Sequence, residues 1–211
     1  MKIYAIPGLG ADARLYAHLT LEHDLEVVEW LMPEGDEDFS GYMQRMSETI
    51  DQSKPFALLG VSFGGLAVVE LSRIVSPAYL ILVSSIDSRD DMPVLYKALG
   101  AIRLGNVLPE FLFKLPKRLT AWLFGTTNTA ELYPILNDMK PKLVKWSMKQ
   151  IAGWTNTKRP ENCFKICGSQ DRLFPPKNCE NGYVLEGGAH FMVVDRAGEI
   201  SDIINQHLAH R

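Results

Sequence analysis

The sequence predicts an α/β fold: a doubly wound, mostly parallel sheet of six strands, interrupted by one helical insertion. Three observations lead there. Strand-like and helix-like stretches alternate with short links along most of the 211 residues. The run FALLGV at 56–61 is apolar or glycine throughout, as a strand covered on both faces must be. The alternation then breaks over 88–153, where only helical periodicity is left.

Residues 2–7 read as the first strand, and Gly8-Leu9-Gly10 opens a turn before a helical pattern at 13–19. A second strand follows at 25–31. Tyr42, Met43, Met46 and Ile50 recur at helical spacing and place a helix over 39–52. The strand at 56–61 leads into an apolar helix at 66–75, and 79–83 repeats the strand pattern. Within the insertion, helical segments at 95–104, 119–124, 130–139 and 142–152 are separated or capped by Pro109, Pro116, Pro134 and Pro141. Strands resume at 163–168 and 183–186, and a helix at 199–208 closes the chain.

Composition narrows the function classes. Hydrophobic residues make up 46% and charged residues 22%, an ordinary globular balance, and a net charge of −3 offers no field that would gather nucleic-acid phosphates. The expected partner is a small-molecule substrate, with no nucleic acid and no membrane; oligomeric state is not legible. The N-terminus lacks the tripartite pattern of a signal peptide, and charged residues interrupt every long apolar stretch, so the expected location is cytoplasmic. Lys114, Lys117 and Arg118 beside Phe111, Leu112 and Phe113 read as a solvated edge of the insertion.

The three cysteines read as free thiols. A zinc site of Cys163, Cys167, Cys179 and His190 is disfavoured. On one strand Cys163 and Cys167 would lie about 13 Å apart, too far to share a metal held at roughly 2.0–2.3 Å. No metal and no cofactor are expected.

The strongest chemical signal is Gly60-Val61-Ser62-Phe63-Gly64-Gly65, a G-x-S-x-G motif set between a strand and a helix. Such a turn holds a serine in strained backbone at the carboxyl edge of the sheet, and the glycines leave room by lacking Cβ. Serine needs a base, and a carboxylate behind the base. Of five histidines, His18, His23, His207 and His210 read as surface residues. His190 follows Gly187-Gly188-Ala189 directly after the last strand, at the edge where Ser62 stands. Asp171, in GSQDRLFPP just beyond the fifth strand, is the preferred acid; Asp87, after the fourth strand, is the alternative. The order is then Ser62, Asp171, His190, the chain order of the α/β-hydrolase triad.

On these residues the sequence resembles the α/β-hydrolase superfamily along nearly its whole length outside the insertion. Gly60 to Gly65 resembles its nucleophile elbow, Gly168 to Asp171 its acid loop, Gly188 to Phe191 its histidine loop, and Ile6 to Gly10 the loop after its first core strand. The resemblance implies one α/β-hydrolase domain over 1–211, lacking the superfamily's first two strands, with the insertion at about 88–153 as a cap. It also implies an oxyanion hole from the backbone N–H groups of Leu9 and Phe63. Pro7 stands where many relatives carry histidine, so this loop is expected to lack side-chain bracing.

The implied activity is hydrolysis of a small, largely apolar carboxylic ester through an acyl-serine. Thioester hydrolysis, cofactor-free C–C hydrolysis or lysis by the same triad, and non-catalytic ligand binding are the alternatives. Leu95, Leu99, Leu112, Phe113, Trp122, Phe124, Trp146 and Met148 are candidates to line a pocket over Ser62.

Overall fold

The computed structural model describes residues 1–101, 115–177, 179 and 182–209. Its centre is a sheet of six strands in the order β2-β1-β3-β4-β5-β6, every neighbouring pair parallel. The strands are β1 (Lys2–Ile6), β2 (Asp24–Val27), β3 (Phe56–Val61), β4 (Tyr79–Val83), β5 (Cys163–Gly168) and β6 (Gly182–Leu185). All six residues of β3 are buried, which explains its unbroken apolar run.

Helices cover both faces. On one side lie α1 (Phe39–Ser47) and α2 (Phe63–Leu71), whose Tyr42, Met43, Met46, Leu66 and Leu71 are fully buried against Tyr4, Leu58 and Leu80. On the other, α7 (Met192–Asp195) and α8 (Ala197–Ala209) bury Met192, Val193, Ile200 and Ile204 against Ile3, Leu59 and Ile81. Because β-strand side chains alternate in direction, Leu58 and Leu59 serve opposite cores.

Among the described residues, four α-helices stand between β4 and β5: α3 (Val94–Ala101), α4 (Lys117–Phe124), α5 (Thr129–Asp138) and α6 (Pro141–Gly153). Local chemistry sets their ends. Gly125 closes α4 in the left-handed conformation at φ 67°, the Asn128 side chain accepts the Glu131 N–H at the start of α5, and Pro141 opens α6 where a missing N–H costs nothing. The insertion is anchored to both layers: Leu143, Trp146 and Ile151 join the α1/α2 core, whereas Ala121, Leu132 and Ile135 join the other. Leu112 and Phe113 lie outside the described residues, as do the side chains of Leu95 and Leu99.

Several boundaries differ from the sequence expectation. The pattern at 13–19 is a single 3₁₀ turn, Ala13–Tyr16. β2 ends at Val27, because Trp30 turns inward and donates its indole N–H to Gly8 O at 3.0 Å. Helix α2 begins at Phe63 rather than residue 66, so Gly64 and Gly65, which look like helix breakers, lie inside it. They are there because the backbones nearly touch: a Cβ on Gly64 would sit 2.1 Å from Ile6 O, and one on Gly60 2.4 Å from Gly64 O. His207 is not a free surface residue; its ring stacks on Phe164 at 3.9 Å. Among the described residues no helix is long and apolar enough to cross a membrane.

Candidate active site

Ser62 occupies the turn between β3 and α2 with φ 54° and ψ −121°, a conformation non-glycine residues rarely adopt. Strain of this kind costs roughly 1–3 kcal/mol and persists only when its surroundings fix it. Here they do. The Ser62 N–H donates to Val83 O at 3.0 Å, and its carbonyl accepts the Gly65 N–H at 2.9 Å and the Ser85 hydroxyl at 2.6 Å. Gly65 must be glycine for that last bond, since a Cβ would fall 2.1 Å from Ser85 Oγ.

His190 and Asp171 arrive from the loops after β6 and β5. The two loops are tied to each other: the Gln170 N–H donates to Gly188 O at 2.8 Å, and the Ser169 N–H to Leu185 O at 3.0 Å. Gly168 allows this approach, because a Cβ there would meet Gly188 O at 2.4 Å. In consequence His190 Nδ1 lies 3.0 and 2.9 Å from the two Asp171 carboxylate oxygens, and His190 Nε2 lies 2.9 Å from Ser62 Oγ. The Asp171 side chain is 0% exposed and that of His190 3%. Asp171 Oδ1 also accepts the N–H groups of Leu173 and Phe174 at 2.8 and 2.9 Å, so capping its own turn and facing His190 are one geometry. With Nδ1–H held by the carboxylate, Nε2 is the basic nitrogen and faces the serine hydroxyl.

Asp87, the alternative acid, is engaged elsewhere. It is buried in a cluster with Asp91, Arg159 and Lys165: Lys165 Nζ lies 3.2 Å from Asp87 and 3.5 Å from Asp91, and the Arg159 guanidinium bridges both carboxylates. Lys165 is 4% exposed in the middle of β5, so it needs these counter-charges. The disfavoured zinc set is likewise divided: Cys163 sits in a hydrophobic core while both ring nitrogens of His190 are occupied.

The Leu9 loop is braced, contrary to the expectation drawn from Pro7. Trp30 holds Gly8 O, and the buried Tyr16 hydroxyl donates to Ile6 O at 2.6 Å. Aromatic stacking extends the brace, with the Phe63 ring 5.2 Å from Trp30 and 5.5 Å from Phe39. The sequence reading missed Trp30 and Tyr16 because their partners are backbone carbonyls, which no side-chain motif reveals.

Ser62 and His190 open onto a cavity of about 420 Å³, within the range of small-ligand sites. Its walls are mainly apolar, including Leu132, Ile135, Met148, Leu173 and Val193, with Lys117, Thr120 and Asn137 also in the lining and Gly8 and Leu9 beside the serine. Phe124 and Phe174 flank the imidazole at 5.1 and 5.9 Å. Of the four candidate cap residues whose side chains are described, Phe124 and Met148 line the cavity. Trp122 is 59% exposed with Arg172 over its ring, and Trp146 packs beneath the cap against Phe39, Tyr42 and Phe63. Tyr96, unforeseen, also borders the cavity; burial and the nearby Asp171 charge push its phenol up to about 12, so it is neutral near pH 7.

The fold recurs among solved structures. An esterase from Thermogutta terrifontis superposes with a TM-score of 0.69, at 15% identity, over 100% of this chain and 90% of that one. The chain has the α/β-hydrolase fold. Also similar in fold are ClbQ from the colibactin NRPS/PKS pathway (TM-score 0.67, 15% identity, 99% and 97% of the two chains) and YbtT, a type II thioesterase from the yersiniabactin pathway (TM-score 0.63, 15% identity, 99% and 93%). No protein-family model and no curated protein matches the sequence.

Proposed function

We propose that this α/β-hydrolase-fold protein is a serine hydrolase that cleaves small carboxylic esters with an apolar acyl group through an acyl-Ser62 intermediate. The observation that carries the reading is the continuous hydrogen-bonded line from Asp171 through His190 to Ser62, ending at the floor of an apolar cavity. His190 Nε2 takes the Ser62 proton as Oγ attacks the carbonyl. Asp171 stabilises the imidazolium that forms. The N–H groups of Phe63, at the start of α2, and of Leu9 donate to the developing oxyanion, where preorganised donors count most. The imidazolium then protonates the leaving alkoxide, and water activated by His190 releases the acid.

The cavity argues for acyl groups longer than acetyl. Each methylene buried against these walls contributes about 0.8 kcal/mol, or roughly fourfold in kcat/KM, until the chamber of about 420 Å³ is full. A series of p-nitrophenyl esters from acetate to palmitate tests this. The reading expects a climb from acetate to octanoate and a fall by palmitate. A flat profile, or no turnover of any ester, would refute it. Thioester hydrolysis is the second reading, favoured by the fold likeness to YbtT, and acyl thioesters of the same chain lengths belong in the panel.

A further inference from the structure

Two of the three cysteines touch each other beside the site. Cys167 is the penultimate residue of β5 and is buried, while Cys179 lies past the far end of the Asp171 loop and is only half-buried. Their sulfurs are 2.9 Å apart and share a hydrogen bond. A disulfide bond is about 2.05 Å long, so closing the gap asks for less than 1 Å of movement. Cys179 Sγ is otherwise held loosely, with Lys165 O and Tyr183 O at 3.9 and 3.8 Å. Gly182 makes room for it, since a Cβ there would lie 3.0 Å from the sulfur.

We propose that Cys167 and Cys179 form an oxidisable dithiol, a modification site at which a small disulfide converts the pair into an intramolecular disulfide that staples the Asp171 loop to β5. The order of attack follows from the environment. Hydrogen bonding from Cys167, helped by the Lys165 cation, lowers the Cys179 thiol to about 7, whereas the same contact and burial push Cys167 well up. Cys179 is therefore the accessible thiolate near neutral pH and the first nucleophile. It attacks one sulfur of the small disulfide and expels one thiolate, leaving a mixed disulfide on Cys179. The expelled thiolate takes the Cys167 proton, and Cys167 attacks Cys179 Sγ, releasing the second thiol. Two protein thiols are oxidised, one small disulfide is reduced to two thiols, and atoms and electrons balance.

The staple would add a covalent tie to hydrogen bonds already present. The first half of the loop is tied to the histidine loop through Ser169 and Gln170, while Lys177 and Cys179 are held by Lys165 Nζ to Lys177 O at 3.4 Å, Lys177 Nζ to Asp90 O at 3.3 Å and the Gly182 N–H to Cys179 O at 3.1 Å. A covalent link across a loop of this length is expected to raise the melting temperature by about 6–12 °C.

The test uses the full reduced chain and glutathione disulfide. Thiols titrated after unfolding should fall from three to one, against the three cysteines of the sequence. Non-reducing peptide mapping should give a Cys167–Cys179 link, reversed by dithiothreitol. Cys163→Ser should go from two thiols to none, and Cys179→Ser should lose both the link and the thermal shift. Three thiols surviving, a glutathione adduct on Cys179 that Cys167 does not resolve, or links only between molecules would each overturn the proposal. Thiol counts do not depend on esterase activity, so failure here is distinct from failure of the proposed function.

Discussion

Replacing Asp171 by Asn separates a structural acid from one that sets the histidine tautomer. Asp171 Oδ1 accepts both the Leu173 and Phe174 N–H groups at 2.8 and 2.9 Å, so an Asn side chain keeps its oxygen there. Its NH₂ then takes the place of Oδ2, 2.9 Å from His190 Nδ1. That amide donates, which makes Nδ1 the acceptor and moves the ring proton to Nε2, where it faces Ser62 and blocks proton transfer. The imidazolium also loses its counter-charge. The same exchange in the serine-protease triad lowers kcat about 10⁴-fold. With the turn preserved here, the expected loss is roughly 10³- to 10⁴-fold, or about 4–5.5 kcal/mol of barrier, with little change in KM. Asp87→Asn is the control. It removes one carboxylate from the Arg159–Lys165 cluster, so it should lower stability by about 2 kcal/mol while changing kcat less than about tenfold. The assay is steady-state kcat on p-nitrophenyl octanoate, with urea unfolding of both variants. An active Asp171→Asn beside a crippled but folded Asp87→Asn would refute the assignment.

Other consequences are as direct. Gly64→Ala places a Cβ 2.1 Å from Ile6 O and 2.5 Å from Pro7 O, so it should displace the Leu9 loop and cost at least 10²-fold in kcat, read alongside circular dichroism. Trp30→Phe keeps the ring over Phe63 but leaves Gly8 O without its indole donor; about 1 kcal/mol of stability and roughly five- to tenfold in kcat should be lost, measured by urea midpoint and turnover. Met148→Trp fills part of the cavity and should cut kcat/KM for decanoate at least about tenfold while leaving butyrate within about threefold. Alkylation of Cys179 by iodoacetamide should speed up as pH rises through about 7, since thiolate is the nucleophile; the hydrogen bond from Cys167 and then the Lys165 cation favour that form, burial and Asp87 oppose it, and a midpoint above 9 would contradict the dithiol geometry.

Ser62, Asp171 and His190 were legible as candidates because each follows a strand, and the carboxyl ends of parallel strands share one edge; the structure brings the three within hydrogen-bonding distance. Glycine spacing was legible for the same reason, as Gly60, Gly64 and Gly168 mark places where backbones meet. What escaped was chemistry between residues far apart in the chain. Lys165 sits in an apolar strand pattern, and its counter-charges Asp87 and Asp91 lie 78 and 74 residues away. Trp30 and Tyr16 look like core aromatics, yet their polar atoms hold the loop that carries Leu9. Trp122 and Trp146 show the converse. Both were reasonable cavity residues by hydrophobicity, but the helix face each occupies turns one to solvent and the other beneath the cap.

The central claim is that Ser62 is an activated nucleophile, and covalent labelling by a fluorophosphonate tests it most directly. Intact mass of the treated protein should show one adduct per chain, peptide mapping should place it on Ser62, and both Ser62→Ala and His190→Ala should stay unlabelled while folding normally. No adduct at all, or equal labelling of Ser62→Ala, would contradict the account.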